Sequence, residues 1–429
     1  MFVLPTFVCG LLAAASLSPA AIPSPLGLAT ALQIFRERGL DALIADEAVA
    51  AARADELSAG AIANPTLSAS VGRTFGYDAS CAGCSGTAFG VGLSDGAALS
   101  DSITGKRGLR LAVARKALQA AKLQRAEAQR TLEVQVAQAL IQLAAAEAQL
   151  SVSKEVAASM ARTRQVNERR LAAGAVSEAD VARAEAAELQ ALQLVDVAAQ
   201  SLRAAQISIA FLLGAREASA DLRADPALLN FVVPTALVAV SRDSLIEKAE
   251  RARPDVQAAA AQEERAKASV ELAGRQRVPD VAVSVNYSQE GTGASAIAPP
   301  TFTVGLSLPL PFLYRQQGEI ARAEADQRSQ ALQRRRLSAQ LISDVDTSLA
   351  NFQSARSRAE RSEGRLLDRA RRARDLVQVQ HDKGVASLLD LLDAQRTYAA
   401  VASDRLVQLA AYWSAAYALL AATGQELSP

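Results

Sequence analysis

The chain has 429 residues, of which 50% are hydrophobic but only 4% aromatic, and its formal net charge is +1. That balance leaves no electrostatic footprint for nucleic acid or an anionic membrane surface. Alanine-rich tracts with charges spread along them fit long helices packed on small side chains.

Residues 1–20 read as an export signal. Phe2 to Leu17 is apolar, and Ser18-Pro19-Ala20 supplies small residues for cleavage. No Lys or Arg precedes the apolar run, and Pro5 interrupts it. Once the signal is removed, Cys81 and Cys84 are the remaining cysteines. In an exported chain this isolated pair is expected to form a local disulfide; a soft-metal site is the alternative. No uninterrupted apolar run of about eighteen residues follows the signal, so no helical membrane span is expected. A membrane crossing would have to use strands.

Ala29 to Leu57 has a helical pattern, closed by Gly60 and Asn64-Pro65. The period then changes to two. Leu67, Ala69 and Val71 alternate with polar residues, Phe75 and Tyr77 resume the face, and Phe89, Val91 and Leu93 follow a Gly/Ser/Cys loop. Strands are expected at about 66–77 and 88–94. From Gly108 to Leu171 the helical period returns over some 60 residues, roughly 90 Å at 1.5 Å per residue. Gly174 reverses the chain, and Ser177 to Leu213 comes back.

Residues 215–242, with Pro226 and Pro234, read as an irregular joint. The order then restarts. Ser244 to Arg277 is helical, and strands are expected at about 280–288 and 301–310. A second long helix runs from Ile320 to Gln380, and after Gly384 the chain returns from Ser387 to Ala422. The two turns match at a fixed offset: Gly174 with Gly384, Ser177 with Ser387, Asp180 with Asp390, and Gly214 with Gly424. The expected fold is mainly α with a small β part, built by internal duplication: a signal at 1–20, a first unit at 21–235 and a second at 236–429. Each unit supplies two strands long enough to cross a bilayer when tilted. Four strands cannot close a channel, and free edges are not tolerated in lipid. Several copies are therefore required, and three would give twelve strands.

This order of elements resembles the TolC-like outer-membrane efflux channels over nearly the whole mature chain. The segments that carry the resemblance are Arg253-Pro254-Asp255-Val256, Leu308-Pro309-Leu310-Pro311-Phe312 with Arg315-Gln316-Gln317-Gly318-Glu319-Ile320, and both turns. The Pro-Leu-Pro segment most resembles the heavy-metal, CzcC-like branch. The resemblance implies a homotrimer with a twelve-stranded barrel in outer-membrane lipid and a twelve-helix periplasmic tunnel. It implies a resistance-nodulation-division pump in the inner membrane and a periplasmic membrane-fusion adaptor as partners. The cargo it implies is heavy-metal cations, with drug efflux or type I protein secretion as alternatives. A pore-free exported coiled-coil scaffold is the reading from outside the channel class.

The resemblance also assigns residues. Arg170, Leu171, Gly174, Ser177, Asp180, Gly384 and Ser387 match the periplasmic tips, where the adaptor docks. Gly174 and Gly384 are expected to hold φ above zero. Asp390 and Asp393 lie three apart on one helix face and match carboxylates that ring the tunnel's narrow end. Ser387-x-x-Asp390 is equally a capping box, and Asp393 could simply favour the helix N-terminus. Arg183 stands where a second aspartate would fall in the first unit. His381 and Ala386 replace the family's Tyr and Arg gate partners. His381, the one histidine, reads as a solvated tip residue rather than a metal ligand. The Arg- and Glu-rich stretch 354–374 reads as a solvated helix face. With one histidine, no Walker-type phosphate loop and no HExxH, neither an enzyme nor a cofactor is expected.

Overall fold

The structure is a computed structural model and describes residues 22–73, 86–215, 221–238, 241–291, 298–363 and 365–427. The export signal and the Cys81/Cys84 pair lie outside the described residues.

In the first half, α1 (Leu28–Arg38) and α2 (Leu40–Gly60) precede β1 (Thr66–Arg73) and β2 (Thr87–Ser94). A short α3 (Ala98–Ile103), the long α4 (Lys106–Ala172) and the returning α5 (Glu178–Leu212) follow. In the second half, α6 (Arg242–Ala252) and α7 (Pro254–Arg275) precede β3 (Ala282–Glu290) and β4 (Ala298–Ser307). Then come α8 (Gln317–Ser362), α9 (Leu366–Asp382) and α10 (Leu388–Ala422). At 67 residues, α4 is about 100 Å long. No helix among the described residues is long and apolar enough to cross a membrane.

Helix breaks divide three tracts that the periodicity reads as continuous. Gly39 separates α1 from α2; a Cβ there would lie 2.5 Å from the Phe35 ring. Pro254 starts α7 and biases Arg253 away from helix; Arg253 holds φ −70° and ψ 120°. The second long helix stops at Ser362 and restarts at Leu366. Arg253 is buried, and its guanidinium reaches Asp255 at 2.6 Å and Asp344 at 3.0 Å. Burial pushes the Asp255 carboxyl up, but Arg253 outweighs it and holds the group below the ordinary aspartate range.

The four strands form one antiparallel sheet in the order β1-β2-β3-β4. Its register puts Leu67 opposite Leu93, Leu93 opposite Val285, and Val285 opposite Val304. Ser68 lies opposite Gly92, Gly92 opposite Asn286, and Asn286 opposite Thr303. Because side chains alternate in period two, one face carries Leu, Val, Phe and Tyr and the other carries Ser, Thr, Gly, Ala and Asn. Leu67, Val71, Phe302, Val304 and Leu306 are each between 72% and 75% exposed. Among the described residues, the outer edges of β1 and β4 have no strand partner.

The second strand pair sits a little off the expected bounds. Asp280 accepts from the Lys106 Nζ at 2.8 Å, and the Val281 N–H donates to the Ser100 hydroxyl at 3.0 Å. These residues are tied to α3 and α4 instead of the sheet. At the other end, Pro309 and Pro311 lack the N–H a ladder needs, so β4 stops at Ser307.

The main core lies midway along the helices. Phe35 of α1, Leu140 and Ile141 of α4, Leu245 of α6, Leu341 of α8 and Tyr412 of α10 share one buried cluster. The joint at 222–238 is folded into it through Leu222, Leu229 and Leu237. Tyr412 donates to the Val232 carbonyl at 2.8 Å and Trp413 to the Asn230 carbonyl at 3.1 Å. Nearer the tips, Ala184 and Ala191 of α5 join Val156 and Met160 of α4 in a second cluster.

The two sheet faces should respond oppositely to charge. Val304→Lys places an ammonium on the apolar face and should cost roughly 2–4 kcal/mol if the site lies near the bilayer midplane. Thr303→Lys, on the other face, should be close to neutral. Heat-modifiable gel mobility after folding into lipid vesicles measures the difference. Equal losses for the two variants would overturn the assignment of faces.

Candidate functional site at the helical tips

Two hairpin turns form the end of the molecule farthest from the sheet. In the first, Gly174 holds φ at +70° and the Ala175 N–H donates to the Arg170 carbonyl at 2.8 Å. In the second, Gly384 holds φ at +76° and the Val385 N–H donates to the Gln380 carbonyl at 2.8 Å. These bonds satisfy the last carbonyls of α4 and α9, and only glycine takes such a φ at little cost. No atom would contact a Cβ at either glycine within 4 Å, so conformation and not crowding selects the residue.

The same capping box starts both returning helices. The Ser177 hydroxyl accepts from the Asp180 N–H at 3.3 Å, and Asp180 accepts from the Ser177 N–H at 3.2 Å. The Ser387 hydroxyl accepts from the Asp390 N–H at 3.2 Å, and Asp390 accepts from the Ser387 N–H at 3.0 Å. The serine hydroxyl bonds are the first cause holding both aspartates below their ordinary range. Asp180 also faces Arg183 at 3.4 Å. Asp390 and Asp393 are both exposed on α10, whose opposite side buries Leu388, Leu391, Leu392 and Gln395.

Arg170 ties the two turns together. Its Nη2 donates to the His381 carbonyl, and its Nη1 lies 3.5 Å from the His381 Nε2. His381 is not solvated: it is 2% exposed and its Nδ1 has no hydrogen-bond partner. Burial first, then the Arg170 charge, push its pKa down, with Asp382 opposing. Its polar contact comes from a residue 211 positions away, which local pattern reading does not see.

Behind the tips, α4, α9 and α10 enclose a polar cleft of about 460 Å³ lined by Glu155, Arg162, Arg169, Arg374, Asp382 and Gln395 among others. Arg374 bonds Glu155 at 2.6 Å and sits 4.0 Å over the Tyr398 ring. Arg164 bonds Glu188 in the first hairpin. Arg374 and Tyr398 are that pair moved by the repeat interval, a signal the offset between Gly174 and Gly384 carries. Residues 354–374 are thus only partly a solvated face. Among the described residues, no group of three or more His, Cys, Asp or Glu side chains is placed to hold a metal ion.

The family profile described as outer membrane efflux protein matches the chain twice, over residues 33–215 and 245–425. The cobalt-zinc-cadmium resistance protein CzcC of Cupriavidus metallidurans is 26% identical over 296 residues, which is 68% of this chain and 68% of that protein. The outer membrane protein VceC of Vibrio cholerae superposes with a TM-score of 0.73 at 19% identity, covering 94% of this chain and 97% of that one. The open-state MtrE outer membrane channel of Neisseria gonorrhoeae gives 0.72 at 21% identity, covering 93% and 89%.

The buried histidine gives the tips a pH dependence. A folded pKa below the ordinary histidine value means the neutral ring is favoured in the clamp. That stability is complete above about pH 6.5 and is lost as pH falls through the folded value. Spin labels at Ala175 and Ala386 should show a single short distance at neutral pH that broadens in acid, and His381→Gln should flatten the response. An unchanged acid response in His381→Gln would exclude this residue as its cause.

Proposed function

The chain belongs to the outer membrane efflux protein family, and from that premise we propose that three copies form the exit conduit of a tripartite efflux system. It resides in the outer membrane, with its long helices extending into the periplasm. A resistance-nodulation-division pump supplies the energy, and this chain supplies a passive path. The observation that carries the reading is the sheet: one face apolar and exposed, the other small and polar, and two free edges. A pore-free coiled-coil scaffold has no use for such a sheet. Copies joined β4 to β1 would close it, with lipid outside and water inside.

The tips are read as the adaptor-facing end, with Arg170, Leu171, Gly174, Ser177, Asp180, Gly384 and Ser387 at the docking turns. Asp390 and Asp393 are read as the narrow point. The two units, 21–235 and 236–429, are read as copies of one ancestral half.

Two cargo readings have support. A cation cargo is favoured by the relative named for cobalt, zinc and cadmium resistance and by the segment Leu308 to Ile320. A general conduit, with drugs or other small solutes as cargo, is the reading that asks for no cargo site, and it is compatible with the channel fold shared along nearly the whole chain. The second reading assumes less, so the general conduit is the main reading. On the metal reading, the tip carboxylates would steer cations electrostatically and no dedicated ligand set would hold them.

The double variant Asp390→Asn, Asp393→Asn tests the narrow point. It removes charge while keeping size and much of the hydrogen bonding. Single-channel recordings should show weaker cation preference and weaker divalent block, with the oligomer intact. A variant that keeps both properties and is merely less stable would leave the aspartates as helix caps.

A further inference from the structure

We propose that α5 of one copy packs against α8 and α9 of the next through two ion pairs, Glu185 with Arg369 and Asp196 with Arg358. The inference rests on the multi-copy reading above but takes its register from contacts inside one chain.

Within the chain, α4 packs against α5 and α10, and α10 packs against α8 and α9. Toward the tips the row of helices therefore runs α5, α4, α10, α9, while α6 and α7 pack on α8 nearer the sheet; among the described residues α5 packs on α4 and α10, and α9 on α10. The ends of this row lie on the same molecule as the free edges of β1 and β4. Any closed ring of copies that joins the strand edges also brings the helical edges together.

The repeat predicts how they meet. The contact of α4 with α10 joins a descending helix of one half to the returning helix of the other. Gln395 donates to Ser159 at 2.6 Å, and Tyr398 donates to Glu155 at 3.0 Å. The repeat interval is 384 less 174, or 210 residues. Adding it to the α4 member and subtracting it from the α10 member gives the equivalent contact between copies. Ser159 and Gln395 become Arg369 and Glu185. Continuing the same antiparallel register eleven residues on brings Ala148, which packs against the main core, level with Leu406 within it; the shift turns these positions into Arg358 and Asp196.

The side chains at these positions fit. Glu185 and Asp196 lie eleven apart on α5, and Arg358 of α8 and Arg369 of α9 are eleven apart across the break between those helices, so α5 can reach one arginine on each. Glu185, Leu189, Leu192 and Asp196 share a face of α5 turned away from Ala184, Ala191 and Ala198, which are buried. Leu189 and Leu192 are 55% and 46% exposed. All four charged residues are exposed, and none has an ion-pair partner among the described residues. Opposite charges at matched spacing fix the register of such a seam.

The full chain in mild detergent is the test. Parent protein should run as an oligomer; a monomeric parent would refute the multi-copy reading itself, before any variant is read. Given an oligomer, the double variant Glu185→Cys, Arg369→Cys should give reductant-sensitive linked chains under oxidation, and neither single variant should. Glu185→Arg should lower the temperature at which the oligomer dissociates in SDS, and adding Arg369→Glu should restore it. An oligomeric parent whose cysteine pair does not link, or a charge reversal that its partner does not rescue, would overturn the seam.

Discussion

The structure depends on one constraint: backbone N–H and C=O groups cannot be left unpaired in hydrocarbon. A four-stranded sheet with an exposed apolar face satisfies its interior and leaves the edges of β1 and β4 open. Each open edge in lipid would cost several kcal/mol per unpaired group. That exceeds what any single side-chain contact in this chain could offset. Assembly is therefore a condition for inserting the sheet at all. The alternation of Leu, Val and Phe with Ser, Thr and Gly then decides which side faces lipid.

The helices meet a related difficulty with weaker forces. Along the middle of the hairpins the packing side chains are alanines such as Ala184, Ala191 and Ala198, seven residues apart. They let helices approach closely but bury little area each. The larger contribution comes from the middle layer, where Tyr412, Trp413, Tyr417 and Phe352 are buried together. Each large side chain there contributes roughly 1.5–3 kcal/mol. The layer also holds α1, α6 and the joint between the halves, so it fixes the two hairpins relative to each other. The tips lie far from it and depend on their own caps and on Arg170.

Features written into short stretches were readable before any coordinates. Period-two alternation located all four strands, and glycine followed by Ser-x-x-Asp located both tips and their caps. What escaped reading was set by contacts distant in sequence. His381 sits between Gln380 and Asp382 and looks solvated, yet it is buried and Arg170 arrives from the other half to contact it. The breaks at Gly39, at Arg253 and between Ser362 and Leu366 fall in tracts whose apolar period continues across them. β3 begins at Ala282 because Asp280 and Val281 are held by Lys106 and Ser100, more than 170 residues earlier in the chain.

The tip aspartates separate folding from function more sharply than their shared motif suggests. Asp180 and Asp390 make the same bonds to the same kind of serine, so capping accounts equally for both. Asp393 is different. It is exposed and makes no hydrogen bond or ion pair among the described residues, so their fold places no demand on it beyond a mild preference near a helix N-terminus. Its counterpart in the first half is Arg183, which neutralises Asp180. The two hairpins thus share a backbone design but place their charges differently: the first returning helix opens with Glu178, Asp180 and Arg183, the second with Asp390, Asp393 and Arg396. The fold of one copy holds Asp390 through its cap bonds and makes no such use of Asp393, so a change in conduction on removing the Asp393 charge alone would point beyond folding.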